Sequence, residues 1–378
     1  MTSTLAAPAA PAARRSEPSP AIRHVDSVDG LRAGAIALVL CVHLGLPGVE
    51  LGWMGVDLFF VLSGFLITTL LAREATRSGR ISLPRFWGRR FLRLMPAYWL
   101  YAGFVTIAIG VAGWGWTGQA GGWGPGRLIA SIWLYFSNYA PSRGIWEHQG
   151  LVGPLWSLAI EEQFYLLWPV LFWCLGSRPA RAELAAWCLV AASFAHCFAA
   201  EPASLHFRIE TRGLGIMLGC AVALTTGRSA GLVRWLGRPE VRWAIVAGLA
   251  LAFAVPTAFF RLGRIDDTQV HLYFLPTFCA ASSLVVAMLW HGPRDRIASA
   301  LSWRPMAYLG KISYGIYLYH ELARHLTWAY LLPGIGDWPM PARFGLRAAT
   351  FLALSVAMAS LSYHTLERPF LALKSRLR

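Results

Sequence analysis

The chain has 378 residues, of which 56% are hydrophobic and only 14% charged, with 18 Trp and a formal net charge of +15. So apolar a composition excludes an ordinary soluble domain. The positive charge alone would suit nucleic acid or acidic lipid, but the basic residues sit in alternate connectors between apolar blocks of about 17–25 residues. That is the positive-inside pattern of a multi-span protein, and it argues against a nucleic-acid partner.

The pattern predicts an all-α integral membrane protein of the cell membrane, with about ten transmembrane helices, short connectors and both termini cytoplasmic. Residues 1–25, rich in Ala, Pro and Arg, read as a disordered cytoplasmic tail rather than a cleavable leader. Residues 26–370 then form one transmembrane domain, and 371–378 a basic cytoplasmic tail. The first span runs from about Leu31 to Leu46, with Asp26 or Ser27 as its cap, and the second from about Trp53 to Leu71. A connector from Arg73 to Arg93 carries seven arginines and marks the cytoplasmic side. The third span is about Pro96 to Val111. The shorter apolar piece Leu128 to Tyr139 reads as re-entrant or interfacial, because counting it as a span would push the Arg178/Arg181 connector outside. Further spans are expected at about Leu155–Leu175, Leu184–Ala199, Gly213–Thr226, Trp243–Phe260, Leu272–Trp290, Met306–Tyr330 and Phe344–Tyr363. The six cysteines lie in apolar runs without CxxC or metal-ligand spacing, so they read as packing residues and no metal site is expected.

Several polar groups interrupt these blocks, where each costs roughly 2.5–3.5 kcal/mol on insertion scales and usually faces a cavity or a partner. Arg32 and His43 are eleven residues apart, three helical turns plus roughly 20°, which puts them on one face about 16 Å apart. An imidazole there suits general-base chemistry; a snorkelling arginine and a bonded histidine are the plainer reading. Asp57 either orients His43 or caps the second span, and Ser63-Gly64 reads as a close-packing step. Arg85, Arg89 and Arg93 stack at i, i+4, i+8 beside Arg90, a basic amphipathic segment that suits phosphate as well as a membrane surface. Ser157, Glu161 and Tyr165 share one face just after Trp156, with Glu162 pointing elsewhere. Tyr314 and Tyr317 read as an interfacial belt, His320 as a site candidate, and Glu367-Arg368-Pro369 as a helix stop.

Taken together these stretches resemble the membrane acyltransferase 3 family, over roughly Val28 to Phe370. The resemblance rests on Arg32 with ten residues before His43, Gly55-Val56-Asp57-Leu58-Phe59-Phe60, Ser63-Gly64-Phe65, Arg89-Arg90-x-x-Arg93, Trp156-Ser157-Leu158-x-x-Glu161 and Ser313-Tyr314-Gly315-Ile316-Tyr317-Leu318-Tyr319-His320. It implies transfer of an acyl group, commonly acetyl from acetyl-CoA, to a hydroxyl of a glycan, a glycolipid or a secondary metabolite. Acyl-CoA would be a co-substrate, with no cofactor permanently bound. On matching positions the resemblance implies that His43 is catalytic with Arg32 as its partner, and that Arg89, Arg90 and Arg93 hold the CoA phosphates. It also implies that Glu161, with Trp156 and Ser157, forms the acceptor side. Tyr165, Asp57 and His320 complete the candidate substrate-binding set. Val42 stands where the family often has an aromatic before the histidine. The expected type is the stand-alone form, without a soluble esterase-like domain. A transporter or flippase of a lipid-linked sugar or acylated metabolite is the alternative, and it needs no acyl donor.

Overall fold

The computed structural model describes residues 25–111, 123–140, 150–335 and 337–374, and every regular element among them is helical. The expected amino-terminal tail lies, but for Val25, outside the described residues, as do residues 375–378 of the expected basic tail. Helices α1 (Asp26–His43), α2 (Gly55–Ser78) and α3 (Leu83–Gly110) are followed by the short α4 (Pro125–Trp133). Next come α5 (Leu155–Cys174), α6 (Pro179–Ala199), α7 (Ile209–Arg228), α8 (Ala230–Leu236) and α9 (Pro239–Arg261). Then α10 (Asp267–His291), α11 (Arg296–Leu301), α12 (Arg304–Lys311), α13 (Ser313–Leu326) and α14 (Met340–Ala372) complete the bundle.

Among the described residues six helices are long and apolar enough to cross a bilayer: α2, α3, α6, α9, α10 and α14. A seventh counts if α7 and α8, bent by 107° at Ser229, form one broken span. Length and composition therefore recover six or seven of the ten spans expected, and the helices left out are those carrying polar groups or breaks. Helix α1 holds Asp26, Asp29 and Arg32, and α5 holds Glu161 and Glu162. The span expected over Met306–Tyr330 is broken at Ile312, between α12 and α13, and ends in a π-helical turn at Thr327–Leu331. At nine residues, about 14 Å of helix, α4 is too short to cross an apolar layer of about 30 Å. The second half of the basic connector, from Leu83, and the third span are one continuous helix, α3, whose 28 residues reach about 42 Å, longer than that layer is thick. Neither expected cap forms: α1 starts after Val25 with no side-chain cap, and Asp57 does not cap α2.

Burial shows which helices face lipid. Helices α6, α9 and α14 bury only 17% of their apolar windows, whereas α2 buries 72%. Leu184, Leu251 and Leu361 on those three outer helices are 68%, 60% and 66% exposed, an apolar surface that fits hydrocarbon and not water. Helix α2 is the inner wall between two apolar clusters. Phe60, Ile67 and Leu71 pack toward α3, α5 and α13, while Leu58, Leu62 and Phe65 pack toward α10.

Glycines set the closest approaches. A methyl group on Gly64 of α2 would lie 2.0 Å from the Ile216 carbonyl oxygen of α7, and one on Gly219 of α7 would lie 2.2 Å from that of Val61. The same holds between α1 and α12, where a methyl on Gly310 would meet the Asp29 carbonyl oxygen at 1.8 Å. With lipid outside, backbone proximity of this kind is what holds helices together. Substituting Gly64→Ala should destabilise the protein by about 1–3 kcal/mol, read as a lower Tm in detergent. Gly103→Ala, which meets nothing within 4 Å, should leave Tm unchanged or raise it.

Candidate active site

A cavity of about 580 Å³ opens between α1, α2, α3, α5, α12, α13 and α14. Five cationic side chains line it, Arg32, Arg90, Arg93, Lys311 and Lys374, against three acidic ones, Asp29, Glu161 and Glu367. Arg32 is partly neutralised by Asp29, one helical turn earlier, at 3.4 Å. Deeper in, the Ser63 hydroxyl donates to Glu161 Oε1 at 2.7 Å, and Tyr165 donates to Ser63 at 3.1 Å. The Trp87 indole donates to the Tyr165 carbonyl at 3.1 Å and so ties α3 to α5. At the inner end the hydroxyls of Ser157 and Tyr317 are 2.6 Å apart and form part of the wall.

Behind that wall α13 assembles a second group of titratable residues. Glu321, 3% exposed, has one oxygen 2.8 Å from His43 Nδ1 and the other 2.8 Å from Arg324 Nη2. His320 Nδ1 donates to the Tyr317 carbonyl at 2.6 Å, which leaves Nε2 buried with no hydrogen bond. The rings of His43 and His320 lie 4.7 Å apart. Gly150 closes over the ion pair, since a methyl there would lie 2.6 Å from Glu321 Oε2. With Nδ1–H directed at a carboxylate, His43 Nε2 is left as the free base, and its side chain remains 36% exposed. Ligand atoms of His43, His320 and Glu321 all lie within 4.8 Å of one another, a spacing that would suit a divalent ion. The cysteine spacing carried no hint of that group.

A third cluster buries charge between α2 and α7. Arg212 Nη2 donates to Asp57 Oδ2 at 2.9 Å with both side chains inaccessible, and Nη1 lies 3.3 Å from His271 Nε2. The guanidinium sits 4.9 Å from the Trp53 ring and 5.3 Å from the Trp156 ring. Trp53 stacks on His271 at 4.8 Å, and His206 Nδ1 lies 3.1 Å from His271 Nε2.

The structure divides the sequence candidates between these three places. Arg32, Arg90, Arg93, Ser157, Glu161 and Tyr165 share the cavity. His43 and His320 meet at Glu321, on the far side of Tyr317. Asp57 belongs to Arg212 and not to His43, and Trp156 faces that ion pair. Arg89 turns from the cavity to Glu74, at 3.4 Å. Tyr314 and Tyr317 are not a surface belt: Tyr314 donates to the Leu94 carbonyl at 3.1 Å, and both line the cavity. In the Ser63-Gly64 step only the glycine makes the close helix contact, while the serine bonds Glu161. Glu321 and Arg324 had been missed, although Glu321 directly follows a singled-out histidine and Arg324 lies one turn on.

This is a membrane-embedded member of an acyl-transfer family. Residues 25–360 match the family described as an acyltransferase domain, and the chain belongs to it. Among its relatives, the peptidoglycan O-acetyltransferase OatA of Listeria monocytogenes is 30% identical over 92% of this chain and 56% of its own length. The putative peptidoglycan O-acetyltransferase YrhL of Bacillus subtilis is 29% identical over 92% of this chain and 55% of its own. The O-acetyltransferase OatA of Staphylococcus aureus is 29% identical over 92% and 57%. The chain thus spans about half the length of these relatives. No solved structure matches it.

Removing one partner from the Asp57–Arg212 pair strands a buried charge, at a cost of about 3–5 kcal/mol. Arg212→Met alone should therefore lower the Tm in detergent more than the double variant Asp57→Leu, Arg212→Met does.

Proposed function

We propose that this chain transfers an acyl group, acetyl in the first instance, from cytoplasmic acyl-CoA to a hydroxyl of a cell-envelope glycan. The observation that carries the reading is the His43–Glu321 contact, at 2.8 Å, with Arg324 behind the carboxylate and a cation-lined cavity on the other side of Tyr317. The arginine distribution supports ten spans in the cell membrane, with both termini and the basic end of the cavity on the cytoplasmic side. The donor then enters from the cytoplasm and the acceptor from the exposed edge of His43. Three relatives are named as O-acetyltransferases, two of them for peptidoglycan, which supports a glycan hydroxyl over a secondary metabolite as acceptor.

Glu321 is a positioning residue in this scheme. It holds His43 Nδ1–H, so Nε2 takes the proton of the acceptor hydroxyl as its oxygen attacks the acyl carbon. The new C–O bond forms, the C–S bond breaks, and His43 returns the proton to the departing thiolate. In a two-step route Nε2 attacks first, carries the acyl group, and passes it to the hydroxyl. Arg90 and Arg93 contribute guanidinium groups to the phosphates of CoA, and their fork geometry suits such groups. Arg32 and Glu161 line the same cavity as those arginines and Ser157.

The reading is tested with radiolabelled acetyl-CoA, a cell-wall glycan acceptor and purified protein in nanodiscs. Wild type should move label into the glycan, and folded His43→Ala should move none. Glu321→Gln should lower kcat about 10²–10⁴-fold with the KM for acetyl-CoA unchanged. No turnover by folded wild type, with passage of a lipid-linked sugar across the bilayer instead, would favour a transporter.

A further inference from the structure

Helix α14 does not stop at the edge of the bundle. It passes through a π-helical turn at Tyr363–Glu367 into Arg368–Ala372, and the chain then lays Leu371 and Lys374 along the basic end of the cavity, beside Arg90 and Arg93. Leu371 and Lys374, at the start of the expected basic cytoplasmic tail, are part of the cavity wall.

The cations at this end differ in what they are occupied with. Arg32 is held by Asp29 and Arg89 by Glu74. Among the described residues, Lys374 and Arg93 have neither an ion-pair nor a hydrogen-bond partner. Arg90 rests against the rings of Phe86 and Tyr165, at 5.7 and 5.9 Å, with its Nε buried and unbonded. Arg90, Arg93 and Lys374 line the same end of one cavity, and like charges that close repel unless an anion lies between them. From the other packed elements Lys311 of α12 adds positive charge, and Glu367 of α14, Asp29 of α1 and Glu161 of α5 are the acids lining the same cavity. Lys374 is the one of the three that can relieve the repulsion by losing its proton. Burial first, and then the charges of Arg93, Arg90 and Arg89, pull its ammonium down to about 7.

We propose that Lys374 is a phosphate-binding residue of this cavity, closing with Arg90 and Arg93 on the phosphorylated end of acyl-CoA and taking up a proton from solvent as the donor binds. The inference rests on the donor assignment above and adds to it a residue and a proton linkage. A bound phosphate raises the ammonium's pKa. The contribution of Lys374 to affinity is therefore full below its free-state value near 7, and it is lost as pH rises through the bound-state value. Arginine at this position stays charged throughout.

The test is calorimetric titration of acetyl-CoA into the full chain in phosphatidylcholine nanodiscs, from pH 6 to 8.5, in two buffers of different ionisation enthalpy. Wild type should show proton uptake on binding, and its Kd should rise about threefold between pH 7 and pH 8. Lys374→Arg should bind with little change over that interval and no proton uptake of its own. Lys374→Gln should bind about tenfold more weakly at pH 6, again without the pH slope. Every other titrating group, on the protein or on CoA, is common to the three proteins and cancels in the comparison. Equal affinity and equal slope in wild type and both variants would overturn the proposal while leaving the donor assignment intact. It would also be overturned if Lys374→Gln altered only the response to added phosphatidylglycerol, because the cations would then serve a lipid headgroup. Failure of folded wild type to bind acetyl-CoA at any pH would instead remove the donor assignment itself.

Discussion

A carboxylate and a guanidinium buried side by side in an apolar bundle hold this structure to one arrangement. Asp57 and Arg212 are both inaccessible to solvent, and neither is tolerable there without the other. Their contact fixes α2 against α7 at the end of α2 near Trp53, just as Gly64 and Gly219 fix the two helices backbone to backbone further along. Trp53, Trp156 and His271 surround the guanidinium and leave it no route to water. Since α2 also supplies one wall of the cavity through Phe59, Ser63 and Ile67, the ion pair sets the position of that wall.

The remaining polar groups divide into two kinds of environment. The cavity is crowded with cations, and its acids are fewer. Beyond Ser157 and Tyr317 the balance changes to a single buried carboxylate between two imidazoles and one arginine. The first environment suits an anion by its charge, and the second is organised by hydrogen bonds around one carboxylate. Lipid-facing helices such as α6 and α9 contribute to neither, and turn Leu184 and Leu251 outward.

Much of this was legible in the sequence because buried charge in an apolar block has few uses. The polar face of Ser157, Glu161 and Tyr165 and the placing of Arg32 follow from helical spacing, and the cavity joins them to Arg90 and Arg93 of α3, while Arg89 pairs with Glu74 instead. Partners distant in the chain were not legible. Asp57 pairs across 155 positions with Arg212, and spacing along one helix carries no trace of that. Glu321 escaped notice for the opposite reason: it sits beside His320, inside a stretch whose aromatic residues suggested a surface belt. The span count diverges where charges interrupt α1 and α5 and where helices break, at Ile312 and at the 107° bend at Ser229.

The glycine contacts between α2 and α7 also bear on how relatives of this protein can diverge. Two helices in backbone contact share a surface on which the smallest side-chain change displaces a main chain, so substitution there alters the whole wall at once. Helix α5 faces the same cavity with no glycine between Leu155 and Cys174, and it reaches the space through Ser157, Leu158, Glu161 and Tyr165 alone. A change of side chain on α5 reshapes one corner and leaves the frame standing. New substrate preferences in this fold should accordingly accumulate on α5, while the α2–α7 seam drifts slowly.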